Sequence, residues 1–558
     1  MSGFDDDALA VYDLHEGDWD SYEALLDDFE WVIPEPFNTA AYACDRWAEA
    51  APDRVAIHGR GVDGSVHDLT YAELDRQACQ LANYLTSRGV GRGDRVAVNA
   101  PQKPTAVVAM VATWKLGGVV IPLSVLFGQE GLRYRLADAD ASAFVVDSEA
   151  IDAYRTVADE VALDAVVTMD AEPAGDEVSF EAAIEGQPTA FETVETSPEA
   201  AAAILYTSGT TGDPKGVVHA HRYLLANLTG FQFQICNATH EPGDLIWSPV
   251  EWSWGATLYV ILLPMLFFGR SIVGLPSRGF DPREALALIE AEDVTLFFGP
   301  ATVLRMILQS DAVGDYDVSG VRVVSSGGES LDADVRERIR GVFGDDVTIH
   351  EAYGQTEALT VIGSCGKYFD AKPGMIGRRF PGQPDFSVLD PETHEPVERG
   401  EIGEFAIPFE GNPVCFKEYL NKPDRTAEKV VDGWLLMEDL GWEDEDGYFG
   451  YHGRKDDVII SSGYRISPAE IEEALAAHPA VANVAVVGVP DDERGQVPKA
   501  FVVPSADAEP TDALAAELQA FVKGTLAKYE YPRRIEFRES LPTTTTGKVR
   551  RGELQSSE

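Results

Sequence analysis

Between residues 95 and 342 the chain repeats one pattern: a short apolar run, a helical stretch, then another short apolar run. Arg95–Asn99 (RVAVN) reads as a strand, Thr105–Leu116 as a helix and Gly118–Pro122 as a second strand, which together make a strand–helix–strand unit of a parallel sheet. Similar strands are expected at Ala143–Val146, Ala202–Tyr206, Thr295–Phe298 and Val321–Ser325. Helical stretches such as Pro282–Glu290 and Ala333–Val342 alternate with them. Alternation of this kind argues for an α/β fold in layers, with parallel strands covered on both faces.

At 558 residues the chain is too long for one core. From about Ile376 to Tyr451 the pattern changes to short strands separated by Gly, Pro and Asp turns, which suits a β-rich subdomain. A further α+β unit starts near Gly453. It has expected helices at Pro468–His478 and Ala513–Ala527 and expected strands at Val481–Val489, Lys499–Val503 and Arg534–Phe537. About 100 residues suffice for a small domain of its own. Residues 1–38 are acidic with Trp19, Phe29 and Trp31 interspersed, and read as an arm that packs on the main body. Residues 161–200 are acidic and weakly patterned, and are expected to decorate the surface.

Asp and Glu number 94 against 44 Lys and Arg, a formal charge of −50. The acids are scattered along the whole length, so this is no acidic tail. A basic partner is one reading. A surface adapted to concentrated salt is the better one, because screening suppresses the self-repulsion that such charge causes in dilute buffer. Nucleic-acid binding is disfavoured, since phosphate contacts need clustered Lys and Arg. The cysteines (Cys44, Cys79, Cys236, Cys365, Cys415) are odd in number and far apart, which indicates neither a zinc site nor a disulfide framework and fits a reducing cytoplasm. The acidic N-terminus has no basic, apolar signal segment. The longest apolar run, Gly255–Gly269, contains Pro264 and falls short of the ~20 residues of a membrane span, so a buried helix is expected there.

Four stretches carry chemistry. The first, Tyr206–Gly216 (YTSGTTGDPKG), leaves the end of an expected strand, where α/β folds place ligands. Gly209, Gly212 and Gly216 let backbone N–H groups approach a phosphate, Thr207, Ser208, Thr210 and Thr211 add donors, and Lys215 adds a positive charge. This is not Walker A spacing. On composition alone a mobile surface loop is an equal reading, because Gly, Ser and Thr favour loops. The others are EAYGQTE (Glu351–Glu357), GRKDDVIISSGYRISPAEIE (Gly453–Glu472) and PTTTTGKVRR (Pro542–Arg551).

Together and in this order, these stretches make the chain resemble the adenylate-forming, AMP-binding acyl-CoA synthetases, and within them the medium-chain ones; the resemblance runs from about Thr39 to about Leu554. It implies an AMP-binding domain over 39–453, a hinge at 454–456 with Asp456 at the hinge position, and a mobile C-terminal domain over 457–558. It implies ATP, magnesium and coenzyme A as cofactors. Gly328 and Glu329 of SGGESL, with Glu351, Ala352, Tyr353, Gly354 and Gln355, would form the adenine site, Tyr353 stacking on the base. Thr356 would reach the α-phosphate and Glu357 would hold the magnesium, which needs few carboxylates when phosphates supply other ligands. Asp439 would take the ribose hydroxyls and Arg454 would contact ribose or phosphate. The family pattern before that aspartate is T-G-D, whereas Met437 and Glu438 stand here. Lys548 would stabilise charge developing on the α-phosphate as the carboxylate attacks.

For the second half-reaction, the turn Ser462–Gly463–Tyr464 would swing to the site with Arg465 beside the acyl group. Arg494 and Arg533 would neutralise coenzyme A phosphates, with Tyr531 near the pantetheine or adenine. Trp254 and Gly354 would line the acyl pocket; acetate-specific relatives carry a tryptophan where Gly354 stands, so a medium-length, branched or aromatic acid is expected. Acetate or propionate, and a carrier-protein thiol as acceptor, remain the alternatives. No membrane span is expected, and a homo-oligomer is left open.

Overall fold

The run Arg95–Asn99 folds as a strand, Pro104–Lys115 as a buried helix and Val119–Leu123 as the next strand, parallel to the first. The computed structural model that gives this arrangement describes residues 9–15, 19, 21–207, 214–276, 279–328, 331, 333–383, 385–455, 457, 459–461, 464–491, 494–505, 508–526, 531–543 and 549–556.

An eight-stranded sheet runs in the order Glu418–Tyr419, Lys215–Ala220, Ala201–Thr207, Val119–Leu123, Arg95–Asn99, Ala143–Asp147, Ala165–Met169, Val178–Ser179. Its pairs are parallel except the two that join the first three strands to one another. A nine-stranded sheet runs Arg378–Arg379, Ala358–Gly363, Thr348–Gln355, Val323–Gly327, Leu296–Phe298, Ile246–Trp247, Ile272–Gly274, Val55–Arg60, Val66–Thr70. The largest core joins both sheets through helix Pro104–Lys115 and the helical segments Thr257–Leu262 and Leu263–Phe267. Strands such as Val119–Leu123 are apolar and buried at every position because both faces are covered.

Residues 161–200 are not surface decoration. The run Ala165–Met169 pairs in parallel with Ala143–Asp147, and Val178–Ser179 follows it. Val167 is fully buried, and Asn38 Nδ2 bonds the carbonyls of Trp114 and Val194. The acids around this short apolar run hid its strand character.

A third, antiparallel sheet of Ser387–Leu389, Gly403–Pro408, Trp434–Glu443 and Val430–Val431, with Phe449–Arg454 also on Trp434–Glu443, forms the β-rich layer. The arm crosses onto the edge of the nine-stranded sheet and the turn that follows it: Tyr22 Oη donates to Arg379 O at 2.7 Å, and Trp31 Nε1 donates to Gly382 O at 3.2 Å. Gly382 has a φ of 84° and a Cβ there would lie 2.4 Å from the Trp31 ring, so only glycine fits.

The C-terminal unit has its own sheet of Tyr464–Ile466, Ile459–Ser461, Gly495–Pro504, Val481–Asp491 and Arg534–Phe537. Helices Pro468–Ala476 and Asp512–Thr525 pack on it around Ile471, Leu475, Val486, Val502 and Leu518. Ser467 caps the first helix, and Pro468 occupies its first turn, where a missing N–H costs nothing.

Candidate active site

Ala201–Thr207 and Lys215–Ala220 form an antiparallel pair with Thr207 opposite Lys215, so the intervening loop springs from one end of the eight-stranded sheet. Ser208, Gly209, Thr210, Thr211 and Gly212 lie outside the described residues. The base of the loop is packed tightly. A Cβ on Gly216 would lie 2.9 Å from Ile204 and 3.3 Å from both Leu420 and the Tyr206 ring. Lys422 Nζ and Tyr134 Oη both bond the Pro214 carbonyl.

Lys215 Nζ sits 4.6 Å from the centre of the Tyr419 ring, and the Tyr419 hydroxyl donates to Glu357 Oε1. Both Tyr419 and Glu357 are buried. Burial, then the charge of Glu357, pushes the Tyr419 hydroxyl far above its ordinary value, so it remains a donor at any working pH. One ring thus ties the phosphate-loop lysine to the carboxylate expected to hold magnesium. Tyr419 was not legible as a site residue: it lies in the two-residue strand Glu418–Tyr419, too short for periodicity to mark.

Thr356 and Glu357 form the turn between strands Thr348–Gln355 and Ala358–Gly363. The buried Tyr223 hydroxyl braces this turn from both ends: it donates to Thr356 O and accepts from Leu359 N, each at 3.1 Å. The Phe416 amide donates to Glu357 O at 2.8 Å, which links the turn to the Tyr419 segment.

Asp439 is 4% exposed and accepts hydrogen bonds at both oxygens. Oδ2 accepts from Tyr353 Oη at 2.7 Å and Gln355 Nε2 at 2.5 Å, while Oδ1 accepts from Tyr451 Oη at 3.1 Å, with Arg454 Nε 3.5 Å away. Burial raises both tyrosine hydroxyls well above their usual range, with the Asp439 charge next, so they too stay protonated. Three expected site residues from distant parts of the sequence, Tyr353, Asp439 and Arg454, therefore meet around one carboxylate. Neighbouring Glu438 pairs with Lys429 at 3.0 Å and Arg454 at 3.3 Å, and Lys429 also reaches Gln355 Oε1 at 3.3 Å.

On the adenine side, Gly327 pairs with Ala352, and Gly328 has a φ of 87°, a conformation glycine adopts freely. Glu329 lies outside the described residues. Glu351 is committed elsewhere: its carboxylate accepts from Leu331 N at 2.6 Å and from Arg336.

Gly354 corrects an expectation. A Cβ there would lie 1.7 Å from Leu359 O, inside the hairpin's own backbone. The position needs glycine for the turn, so a tryptophan would displace the turn carrying Thr356 and Glu357, not simply narrow an acyl pocket. Trp254 is partly buried against the main core. A Cβ on its neighbour Gly255 would lie 3.1 Å from Leu205 and 3.5 Å from Leu359. Leu359 therefore neighbours both Gly354 and the residue that follows Trp254.

In the C-terminal unit, Lys548, Asp456, Ser462 and Gly463 lie outside the described residues, and Tyr464 and Arg465 are described through their backbone, opposite Ser461 and Ile460. The flanks of the Lys548 loop are anchored. Thr543 bridges Val549, and Arg551 grips Glu472 at 2.6 and 2.9 Å with Asp457 at 3.6 Å. Arg551 also acts electrostatically on Tyr451, which brings this flank to the Asp439 cluster. The expected coenzyme A residues fall at one end of the same sheet. Arg494 N bonds Asp491 Oδ1 in the turn of a hairpin, Arg533 Nη1 donates to Tyr531 Oη at 2.9 Å, and Arg534 lies 3.9 Å from Asp491.

Comparison with known proteins gives the same picture across the length of the chain. Residues 44–420 match the family model described as AMP-binding enzyme, and residues 470–548 match the AMP-binding enzyme C-terminal domain. The uncharacterized acyl–CoA ligase YtcI of Bacillus subtilis (strain 168) is 33% identical over 510 residues, covering 91% of this chain and 94% of the relative. The mitochondrial acyl-coenzyme A synthetase ACSM3 of Mus musculus is 32% identical over 554 residues, covering 96% and 93%. Among solved structures, the anthranilate CoA ligase AuaEII in complex with anthranoyl-AMP is similar with a TM-score of 0.86 at 26% identity, covering 94% of this chain and 98% of that one.

Proposed function

The chain belongs to the AMP-binding enzyme family, and from that premise we propose that it is an ATP-dependent acid–CoA ligase acting on a medium-length, branched or aromatic acid. The observation that carries the reading is the meeting of Lys215, Glu357 and Tyr419 at one end of the site with Asp439, Tyr353 and Arg454 at the other. A cation and a carboxylate at one end and a ribose acceptor at the other suit a nucleoside triphosphate.

Adenylation joins the acid's carboxylate oxygen to the α-phosphorus and releases pyrophosphate. In this reading Asp439 accepts the ribose hydroxyls, Tyr353 lies against the base, and Lys215 meets the β- and γ-phosphates. Glu357 suits magnesium: its buried carboxylate is oriented by Tyr419 through one oxygen, which leaves the other for the ion. A bound magnesium ion would neutralise phosphate charge there. Lys548 stabilises the charge that grows on the α-phosphate, with its loop flank held by Arg551. The C-terminal domain, 457–558, then turns about Asp456 and brings Ser462, Gly463, Tyr464 and Arg465 to the adenylate. Arg494, Arg533 and Tyr531 hold coenzyme A, and its thiol attacks the carbonyl to expel AMP. The mixed anhydride is already electrophilic, so this step needs chiefly positioning.

In this reading Trp254 stands on the acyl side, and the likeness to an anthranilate CoA ligase supports an aromatic acid. The charge of −50 fits work in concentrated salt in a cytoplasm, and no helix among the described residues is long and apolar enough to cross a membrane. The test is pyrophosphate release with a panel of acids in molar KCl, with coenzyme A and a pantetheinylated carrier protein compared as acceptors. Acid-dependent release with acyl transfer to coenzyme A is expected. Absence of acid-dependent release rejects the ligase reading, and transfer to the carrier protein alone rejects coenzyme A as acceptor.

A further inference from the structure

Glu438 stands in a backbone conformation that resists it. Its φ is 57°, in the left-handed region, where a glutamate is strained and a glycine is not. Strain of this kind persists only where the surroundings hold it, and it gathers at functional sites. Here the surroundings are polar and specific. The Glu438 amide donates to Glu404 Oε1 at 3.1 Å, and its carbonyl accepts from Lys455 N at 2.9 Å.

The side chain reaches into a group of cations. Lys429, only 4% exposed, lies 3.0 Å away, and the Arg454 guanidinium lies 3.3 Å away. Burial pushes the Glu438 carboxyl upward, but Lys429, Arg454 and Lys215 together hold it below its ordinary value. Both direct partners also touch nucleotide-site residues, Lys429 at Gln355 and Arg454 at Asp439. Glu438 itself is the residue beside Asp439. A nucleotide with its ribose on Asp439 carries its first phosphate next along from the sugar, and a guanidinium and an ammonium converging on one oxyanion suit a phosphate as well as a carboxylate. With Lys215, Lys429 and Arg454 set against Glu357, Glu438 and Asp439, these charges cancel before any nucleotide is present. The Glu438 side chain is 40% exposed, so it can leave toward solvent.

We propose that Glu438 is a built-in stand-in for a nucleotide phosphate, and that Lys429 and Arg454 pass from its carboxylate to the phosphate chain when ATP binds. Lys429 is on this account a further phosphate-binding residue. The proposal rests on the nucleotide site described under Proposed function.

The test is titration of the full-length enzyme with ATP–magnesium and, separately, with adenosine, at fixed KCl. Glu438→Gln removes the competing charge and keeps the shape; it should bind ATP about tenfold more tightly, as loss of one nearby like charge gives. Glu438→Gly should do the same with a relaxed backbone. Lys429→Met should bind ATP about tenfold more weakly with adenosine affinity unchanged, and Lys429→Arg should restore it. If Lys429→Met does not fold, the Glu438→Gln titration with its adenosine control decides. ATP affinity unchanged or weakened in Glu438→Gln overturns the proposal, as does an equal loss of ATP and adenosine binding in a folded Lys429→Met. A wild-type enzyme that binds adenosine and ATP equally would overturn the phosphate stand-in alone, and one that binds neither would overturn the ligase reading with it.

Discussion

Asp439, in the β-rich layer of the body, takes its hydrogen bonds from Tyr353, Gln355 and Tyr451, all side chains of that body. Arg551, which flanks the Lys548 loop, is instead paired with Glu472 and Asp457 of the C-terminal unit. The direct polar contacts between the two regions cluster at the junction: Ser467 donates to His452 O, and His452 lies 3.3 Å from Glu470. The body thus presents a preorganised polar cradle around Asp439. Among the described residues, Glu472 and the buried Lys499 of the C-terminal unit are paired within it, with Arg551 and Glu536, so it can turn without stranding them. The two regions should therefore fail separately and do separate chemistry.

The largest expected effect is acid unfolding confined to the body. His219, His221 and His350 are buried there, and burial lowers them from 6.5 to about 3, 3 and 4. His350 is fixed in a neutral tautomer, with Nδ1 on Gln234 O and Nε2 accepting from Gly366 N. Below pH 6.5 the unfolded chain takes up protons that the folded body refuses. The stability these histidines contribute is complete above 6.5 and falls as pH drops toward 3–4. At pH 5 the loss is roughly 2 kcal/mol for each. The described C-terminal residues contain no fully buried histidine. Every tryptophan precedes residue 453, so fluorescence reports the body alone. Between pH 7 and 5 its melting point should fall steeply, while amide exchange in helix Asp512–Thr525 changes less. Equal destabilisation of both regions would show that they fold as one.

Next in size is the division of chemistry. Lys548→Ala should lower acyl-AMP formation by ~10²–10³, the usual effect of losing one preorganised charge donor. Thioester formation from supplied acyl-AMP should stay close to wild type. Equal loss in both half-reactions would break the assignment of Lys548 to adenylation alone.

How much the sequence revealed also differs between regions, and for the same reason. Arg95–Asn99 appears at its expected position, because an apolar run signals a covered strand by local composition. Ala165–Met169 escaped notice because Asp164, Asp170 and Glu172 diluted the same signal. In the candidate site, Tyr353, Asp439 and Arg454, singled out from motif strings, come together in the fold. Tyr419 and Lys429 were not singled out, because their roles arise from contacts 62 and 74 residues away in sequence. Gly354 carried the opposite lesson: its meaning is the steric demand of a turn, visible only once Leu359 is placed beside it.

The smallest effect expected isolates Tyr419. Tyr419→Phe keeps the ring under the Lys215 ammonium and removes only the hydroxyl that orients Glu357. A hydrogen bond to a charged group contributes about 1.5–3 kcal/mol, part of which a water at the vacated position would recover. The magnesium concentration for half-maximal adenylation should therefore rise about tenfold. The maximal rate at saturating magnesium should change little, and thioester formation from supplied acyl-AMP should not change. A lowered maximal rate with unaltered magnesium dependence would mean that the ring and its hydroxyl serve packing, and that the body's cradle is preorganised by Tyr223 and the strand ends without them. A shift in magnesium dependence would place the orientation of Glu357 within the body before nucleotide arrives, which is the property that separates this region from the C-terminal unit.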